Sequence, residues 1–190
     1  MLARHGETEW SISGRHTGVS EIPLTEKGRA MARQLRARLV PWDFAAVWSS
    51  PRIRARETCE LAGFGERLEI VPDIAEWRYG EYEGKTTAEI RETRPLWSVW
   101  SDGPLGGETA EQIGARADRA ILRLRGLSGD ALLFSHAHFL RVLTARWVGL
   151  APQEGRCFAL ATGSVSVLGW EREAAVVELW NDHDRVRAQA

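Results

Sequence analysis

Short apolar runs alternate with stretches of helical periodicity along nearly the whole chain, and this restricts it to folds in which a sheet is crossed by helices. Leu2 and Ala3 are the stub of a first strand, and Thr25 N-caps a helix that runs through Met31, Leu35 and Leu39. Residues 44–49 read as a buried strand; Pro51 then starts a helix whose Ile53, Glu57 and Leu61 share a face until Gly63 stops it. Residues 68–71 give a third strand, 109–127 a long amphipathic helix, 131–134 an apolar strand ending on Ser135-His136, and 139–148 another helix. Residues 164–170 and 174–180 pair as a hairpin at the sheet edge. No repeat, low-complexity stretch or linker interrupts the series, so residues 1–190 are expected to form one domain.

Composition excludes more than it selects. A chain of 190 residues, 44% hydrophobic and 27% charged, can bury a substantial core. A formal net charge of −1 offers no overall attraction to nucleic acid or to an anionic membrane, so any phosphate site has to be local. Cys59 and Cys157 are far apart and lack metal-type spacing, which suits reduced thiols in a cytoplasmic protein. No apolar run approaches the roughly 20 residues of a membrane span, and the N-terminus has no signal-peptide pattern.

The residues with reactive chemistry gather where the strands end. Arg4-His5-Gly6-Glu7-Thr8 follows the first strand, Ser49-Ser50-Pro51 the second, Glu76 the third, and His136 the fourth. Ligands of open α/β sheets bind beyond the carboxyl ends of the strands, so these sequence-distant groups converge on one crevice. An imidazole can attack phosphorus, a guanidinium fork can hold two phosphate oxygens, and a glycine lets backbone approach an anion. Competing phosphate chemistries fail on their own motifs. No Walker-type glycine loop with lysine is present, and neither cysteine has an arginine six residues on. The aspartyl-nucleophile pattern at Asp182-His183-Asp184-Arg185-Val186 falls too late to build a fold around it, and a solvated tail is expected there. His136 and His138, two apart at a strand end, leave open a divalent metal held by both.

Taken in order, the motifs resemble the histidine phosphatase superfamily, the phosphoglycerate mutase-like family, over nearly the whole chain. They are Arg4-His5-Gly6-Glu7-Thr8, Pro23-Leu24-Thr25 with Gly28, Ser50-Pro51-Arg52-Ile53-Arg54-Ala55, Glu76 with Gly80 and Glu83-Gly84, Gly107-Glu108-Thr109, and Ser135-His136. The resemblance implies a three-layer α/β/α sandwich with a mostly parallel central sheet and an antiparallel edge. It implies His5 as a nucleophile carrying the phosphoryl group, and Glu76 as the acid and then the base. Arg4, Arg54 and His136 would surround the equatorial oxygens, with no metal or other cofactor. Motif position selects Arg54 over Arg52 and Arg56, and Glu76 over Glu81 and Glu83.

Within that family several segments look most like the subgroup of sedoheptulose-1,7-bisphosphatase-type sugar phosphatases, among them Glu76-Trp77-Arg78-Tyr79-Gly80 and His136-Ala137-His138. That likeness implies a small phosphorylated metabolite as partner, a sugar phosphate or bisphosphate, with contacts from Ser11, Arg15, Thr17, His138 and the backbone amide of Ala137. A short lid around residues 77–110 would admit water and favour hydrolysis over mutase transfer. Trp97 and Trp100 are expected in core or lid packing. Ala137 stands where relatives carry glycine, which raises the expectation of a crowded or strained backbone there and keeps a weakly active binding protein as an alternative. Monomer and dimer are equally compatible with the sequence.

Overall fold

The computed structural model describes residues 1–183. Its strands are β1 (Leu2–Arg4), β2 (Ala46–Ser49), β3 (Leu68–Ile70), β4 (Ala131–Ser135), β5 (Val165–Glu171) and β6 (Ala174–Asp182). The helices are α1 (Glu9–Ser13), α2 (Glu26–Leu39), α3 (Ile53–Leu61), α4 (Thr87–Thr93), α5 (Ala110–Arg125) and α6 (Ala137–Trp147). One sheet carries all six strands in the order β3-β2-β4-β1-β5-β6. Pairs β3/β2, β2/β4 and β4/β1 are parallel, whereas β5 runs antiparallel to β1 and to β6. The expected architecture, a mostly parallel sheet with an antiparallel hairpin edge, is the one found.

Alternation along the strands divides the core in two. Leu2, Trp48 and Leu133 point to one side, packing with Ile113, Ala117 and Ile121 of α5 and Phe139, Leu140 and Leu143 of α6. Ala3, Val47, Leu132 and Phe134 point to the other, against Leu35 and Leu39 of α2 and Cys59 of α3. Strands buried on both faces read as continuous apolar runs, which is why Ala131 to Phe134 shows no polar alternation. Each fully buried Leu or Phe contributes about 1.5–3 kcal/mol, so these two layers hold the helices against the sheet. Helix α5 starts where Thr109 and Gln112 close a capping box, and it buries Ala110, Ile113, Gly114, Ala117 and Ile121 at helical spacing. No helix among the described residues is long and apolar enough to cross a membrane.

The structure adds and trims elements. Helices α1 and α4 were not anticipated; they are 5 and 7 residues long, and each is started by a capping box, Thr8 with Ser11 and Thr86 with Glu89. Strand β2 begins at Ala46 rather than at residue 44, with Phe44 buried beneath it. Helix α6 begins at Ala137, not Phe139, because the first turn winds directly out of His136. Asp182 is the last residue of β6 and pairs with Arg38 rather than lying in a free tail, while Asp184, Arg185 and Val186 fall outside the described residues.

Candidate active site

β1 delivers His5 with its backbone pinned from both sides. The His5 N–H donates to the Ser135 carbonyl at 3.0 Å, and its own carbonyl accepts from the Gly163 N–H at 3.0 Å. The next residue has no room for a side chain: a Cβ on Gly6 would sit 2.3 Å from the carbonyl oxygen of Gly28, so the loop can lie directly on α2. His5 is 5% exposed. Its Nδ1 lies 2.7 Å from the Gly6 carbonyl oxygen. A carbonyl only accepts, so Nδ1 carries the hydrogen and Nε2 keeps a free lone pair. Burial, then the charges of Arg54 and Arg4, hold the ring's pKa well below the usual imidazole value, leaving it neutral at pH 7.

Two guanidiniums supply positive charge, in different ways. Arg4 donates from Nη1 to the Leu160 carbonyl at 2.5 Å. Its Nε is buried without a hydrogen-bond partner. Burial lowers its pKa to about 10, which still leaves a cation at neutral pH. Arg54, fully buried in the first turn of α3, is more committed. It donates from Nε to His136 Nδ1 at 3.2 Å, from Nη1 to the Ser20 carbonyl at 2.9 Å, and from Nη2 to the Thr17 and Gly18 carbonyls at 2.8 and 3.3 Å. Arg52 bonds Val19 and Glu21, and Arg56 is exposed, so of the three arginines Arg54 alone reaches the interior.

His136 caps α6 from the end of β4 and is fully buried. Because its Nδ1 accepts from Arg54, its Nε2 carries the hydrogen and donates to Ser50 Oγ at 2.7 Å. Its ring centroid is 5.1 Å from that of His5. His138 points elsewhere, its Nδ1 paired with the Tyr79 hydroxyl at 2.6 Å. The two histidines therefore do not converge on a metal, and no group of three or more His, Cys, Asp or Glu suited to a metal ion occurs among the described residues.

Glu76 sits against the first turn of α6. Its Oε1 accepts from the N–H groups of Trp77 and Phe139, each at 2.9 Å, and its Oε2 accepts from the His138 N–H at 3.1 Å. Burial raises its pKa, outweighing those three N–H bonds and the nearby Arg54 charge, all of which act to lower it. Oε2 has one donor where Oε1 has two, so Oε2 is the oxygen with room to carry a proton. The remaining free N–H of that turn, on Ala137, has no protein acceptor among the described residues. Ala137 is the first residue of α6 and has no positive φ, so the strain expected from replacing a glycine does not arise.

Arg4, His5, Glu76, Ala137 and His138 form the floor of a cavity of about 410 Å³, whose walls include Trp10, Tyr79, Trp97 and Trp100. Arg54 and His136 stand behind this lining rather than in it. Ser11, Arg15 and Thr17 line the cavity; the Ser11 and Thr17 hydroxyls spend their hydrogens within the protein, whereas Arg15 keeps its Nε hydrogen and one Nη2 hydrogen. Ser11 Oγ donates to the Thr8 carbonyl at 2.8 Å and accepts from the Thr8 N–H, so it is a cap member. Arg15 donates to the Gly84 carbonyl and to both carboxylate oxygens of Glu89, and Thr17 Oγ1 donates to the Arg15 carbonyl. Sequence reasoning passed over Tyr79, His16 and Arg91 as cavity residues. Tyr79 was within a quoted motif, whereas Arg91 carries no local signal and is brought in only by α4. Of the two tryptophans, Trp97 is buried and Trp100 half-buried, and both face the cavity.

Fold and cavity together define a class: enzymes that handle phosphoryl groups at the carboxyl ends of a mostly parallel sheet. The model of the histidine phosphatase superfamily, branch 1, matches residues 1–183, and the chain belongs to that superfamily. It is 45% identical over 187 residues to an acid phosphatase of Mycobacterium tuberculosis, covering 94% of this chain and 91% of the relative. It is 36% identical to the sedoheptulose 1,7-bisphosphatase of Saccharomyces cerevisiae, covering 81% of this chain and 69% of the relative. Among solved structures, an open reading frame of Mycobacterium tuberculosis superposes with a TM-score of 0.89 at 41% identity, covering 95% of both chains. The alpha-ribazole phosphatase of Shigella flexneri superposes with a TM-score of 0.83 at 26% identity, again over 95% of both.

Proposed function

We propose that this enzyme hydrolyses a small phosphomonoester, a sugar phosphate or bisphosphate, through a phosphohistidine on His5. The observation that carries the reading is the tautomer of His5: with Nδ1–H held by the Gly6 carbonyl and the ring kept neutral, Nε2 offers its lone pair toward the cavity. In the first half-reaction Nε2 bonds to phosphorus while the ester P–O bond breaks, and Glu76 Oε2 gives its proton to the departing alkoxide. In the second, Glu76 takes a proton from water, the water oxygen bonds to phosphorus, and the P–N bond returns its electron pair to Nε2. Arg4, with an unpartnered Nε, and the free Ala137 N–H face the equatorial oxygens. Arg54 acts largely from behind. One Nη1 hydrogen remains to it, and its charge, its hold on His136 and its grip on residues 17–20 fix the floor.

Residues 77–110 act as the lid and substrate wall of a single domain spanning residues 1–190. The names of the two sequence relatives support a phosphatase and, more narrowly, a sugar-phosphate substrate. The test is a phosphate-release screen over sugar phosphates, phosphoglycerates and nucleotides, with rapid acid-free quenching to trap labelled His5. Unchanged hydrolysis by His5→Ala would falsify the mechanism. Bisphosphoglycerate-dependent interconversion that outpaces phosphate release would replace hydrolysis with mutase chemistry.

A further inference from the structure

The cavity has more positive charge than one phosphoryl group requires. Arg4 and Arg54 can balance a monoester dianion on the floor. A third guanidinium, Arg91, also lines the cavity and is exposed, so it stands at the solvent edge. Its only hydrogen bond among the described residues runs from Nε to the Trp97 carbonyl at 2.9 Å, which fixes the stem and leaves both Nη groups free.

Arg15, which also lines the cavity, and Arg78 and Arg94, which do not, behave otherwise. Arg15 is held by Glu89 at 3.1 Å, Arg94 by Asp102 at 3.5 Å and Arg78 by Glu108 at 3.7 Å. Arg91 has no such carboxylate among the described residues. A cation that is anchored by its stem, unpaired at its head and turned to a cavity is arranged to receive an anion from outside the chain. The hydroxyl residues Thr87 and Ser98 line the same cavity and can add donors. Between floor and edge the aromatic walls of Trp10, Trp97 and Trp100 suit the uncharged carbon body of a substrate.

We infer that Arg91 binds a second anionic group of the substrate, a phosphate or a carboxylate remote from the scissile phosphate, and thereby selects doubly anionic over singly phosphorylated substrates. The inference rests on the proposed phosphomonoesterase activity and narrows its substrate class.

The experiment compares kcat/KM for a sugar bisphosphate, a phosphoglycerate and a sugar monophosphate in the wild type and in Arg91→Ala, Arg91→Lys and Arg91→Glu, with circular dichroism to confirm folding. In Arg91→Ala the preference for the doubly anionic substrate falls about 10- to 100-fold, as expected for a lost charge-assisted hydrogen bond, and the loss appears in KM. Arg91→Lys restores most of that preference and Arg91→Glu lowers it further. A larger loss on the bisphosphate assigns the second group as phosphate, and a larger loss on the phosphoglycerate assigns it as carboxylate. Equal loss on all three substrates, or none on any, overturns the inference. His5→Ala, run alongside, tests the underlying mechanism separately, because its result does not depend on the ratio.

Discussion

The floor and the walls of the cavity are built by opposite means. The floor comes from strand ends and the helices that follow them. Its groups are buried, and almost every donor and acceptor is fixed by backbone: His5 by Gly6, Glu76 by three N–H groups, Arg54 by three carbonyls. The walls come from α1, α4 and the tryptophan-rich stretch behind α4. There the short helices start with capping boxes, and Arg15 and Arg94 pair with Glu89 and Asp102. The proposed chemistry is thus anchored at the strand ends, and the proposed selectivity lies with segments that also pack into the core, where Ile90 of α4 and Trp97 behind it are buried.

Substitutions on the floor should break activity without sparing any substrate. His5→Ala is expected to lower kcat/KM by at least about 10³-fold for every monoester and to abolish the trapped phosphohistidine. Glu76→Gln should cost about 10²–10⁴-fold with alkyl leaving groups and far less with p-nitrophenyl phosphate, whose leaving group needs no proton. Glu76 must be protonated to act as the acid, and burial raises its pKa, so kcat for alkyl esters falls as pH rises through that raised value. A Glu76→Gln enzyme that keeps the same alkaline limb would remove Glu76 from this role.

The wall should answer in stability instead. Burial, opposed by Glu83, holds the His16 pKa down at about 4. At pH 7.5 the ring is largely neutral whether folded or unfolded. As pH falls toward 4 the unfolded chain takes up a proton that the folded chain refuses, so this residue alone should remove about 3 kcal/mol of stability between pH 7.5 and 4. Urea denaturation at the two pH values measures the drop, and His16→Gln should reduce it by that amount. Smallest of all, Ser11→Ala removes a cap member and should cost about 1 kcal/mol, a few degrees in Tm, with kcat nearly unchanged. A loss of kcat comparable to that of Glu76→Gln would instead make Ser11 a substrate contact.

The same division explains what the sequence disclosed. Floor residues announce themselves because chemistry demands particular residue types at strand ends, and strands such as Ala131–Ser135 are apolar throughout. The order in which strands pair is set by packing between distant segments, so the central position of β1 is visible only in the structure. Helices α1 and α4 are too short to show a 3.6-residue period, although the Thr86-to-Glu89 spacing carried a legible start signal. Ser11 looked like a free hydroxyl because nothing in its type reveals that Thr8 claims it. Arg91 was silent for the converse reason: an exposed helical arginine is ordinary until the described residues around it prove to offer no paired carboxylate.

The opening turn of α6 holds both oxygens of Glu76 with its second and third N–H groups and leaves its first, on Ala137, without an acceptor among the described residues, in a residue that lines the cavity. On the proposed mechanism the proton donor, tied to this turn by two hydrogen bonds, and the oxyanion seat meet at one helix end. Their separation is set by backbone hydrogen bonds rather than by side chains of the entrance. Under the proposed roles, an entrance reshaped by mutation leaves that spacing in place, so a variant should change what it admits while keeping its reacting groups in register.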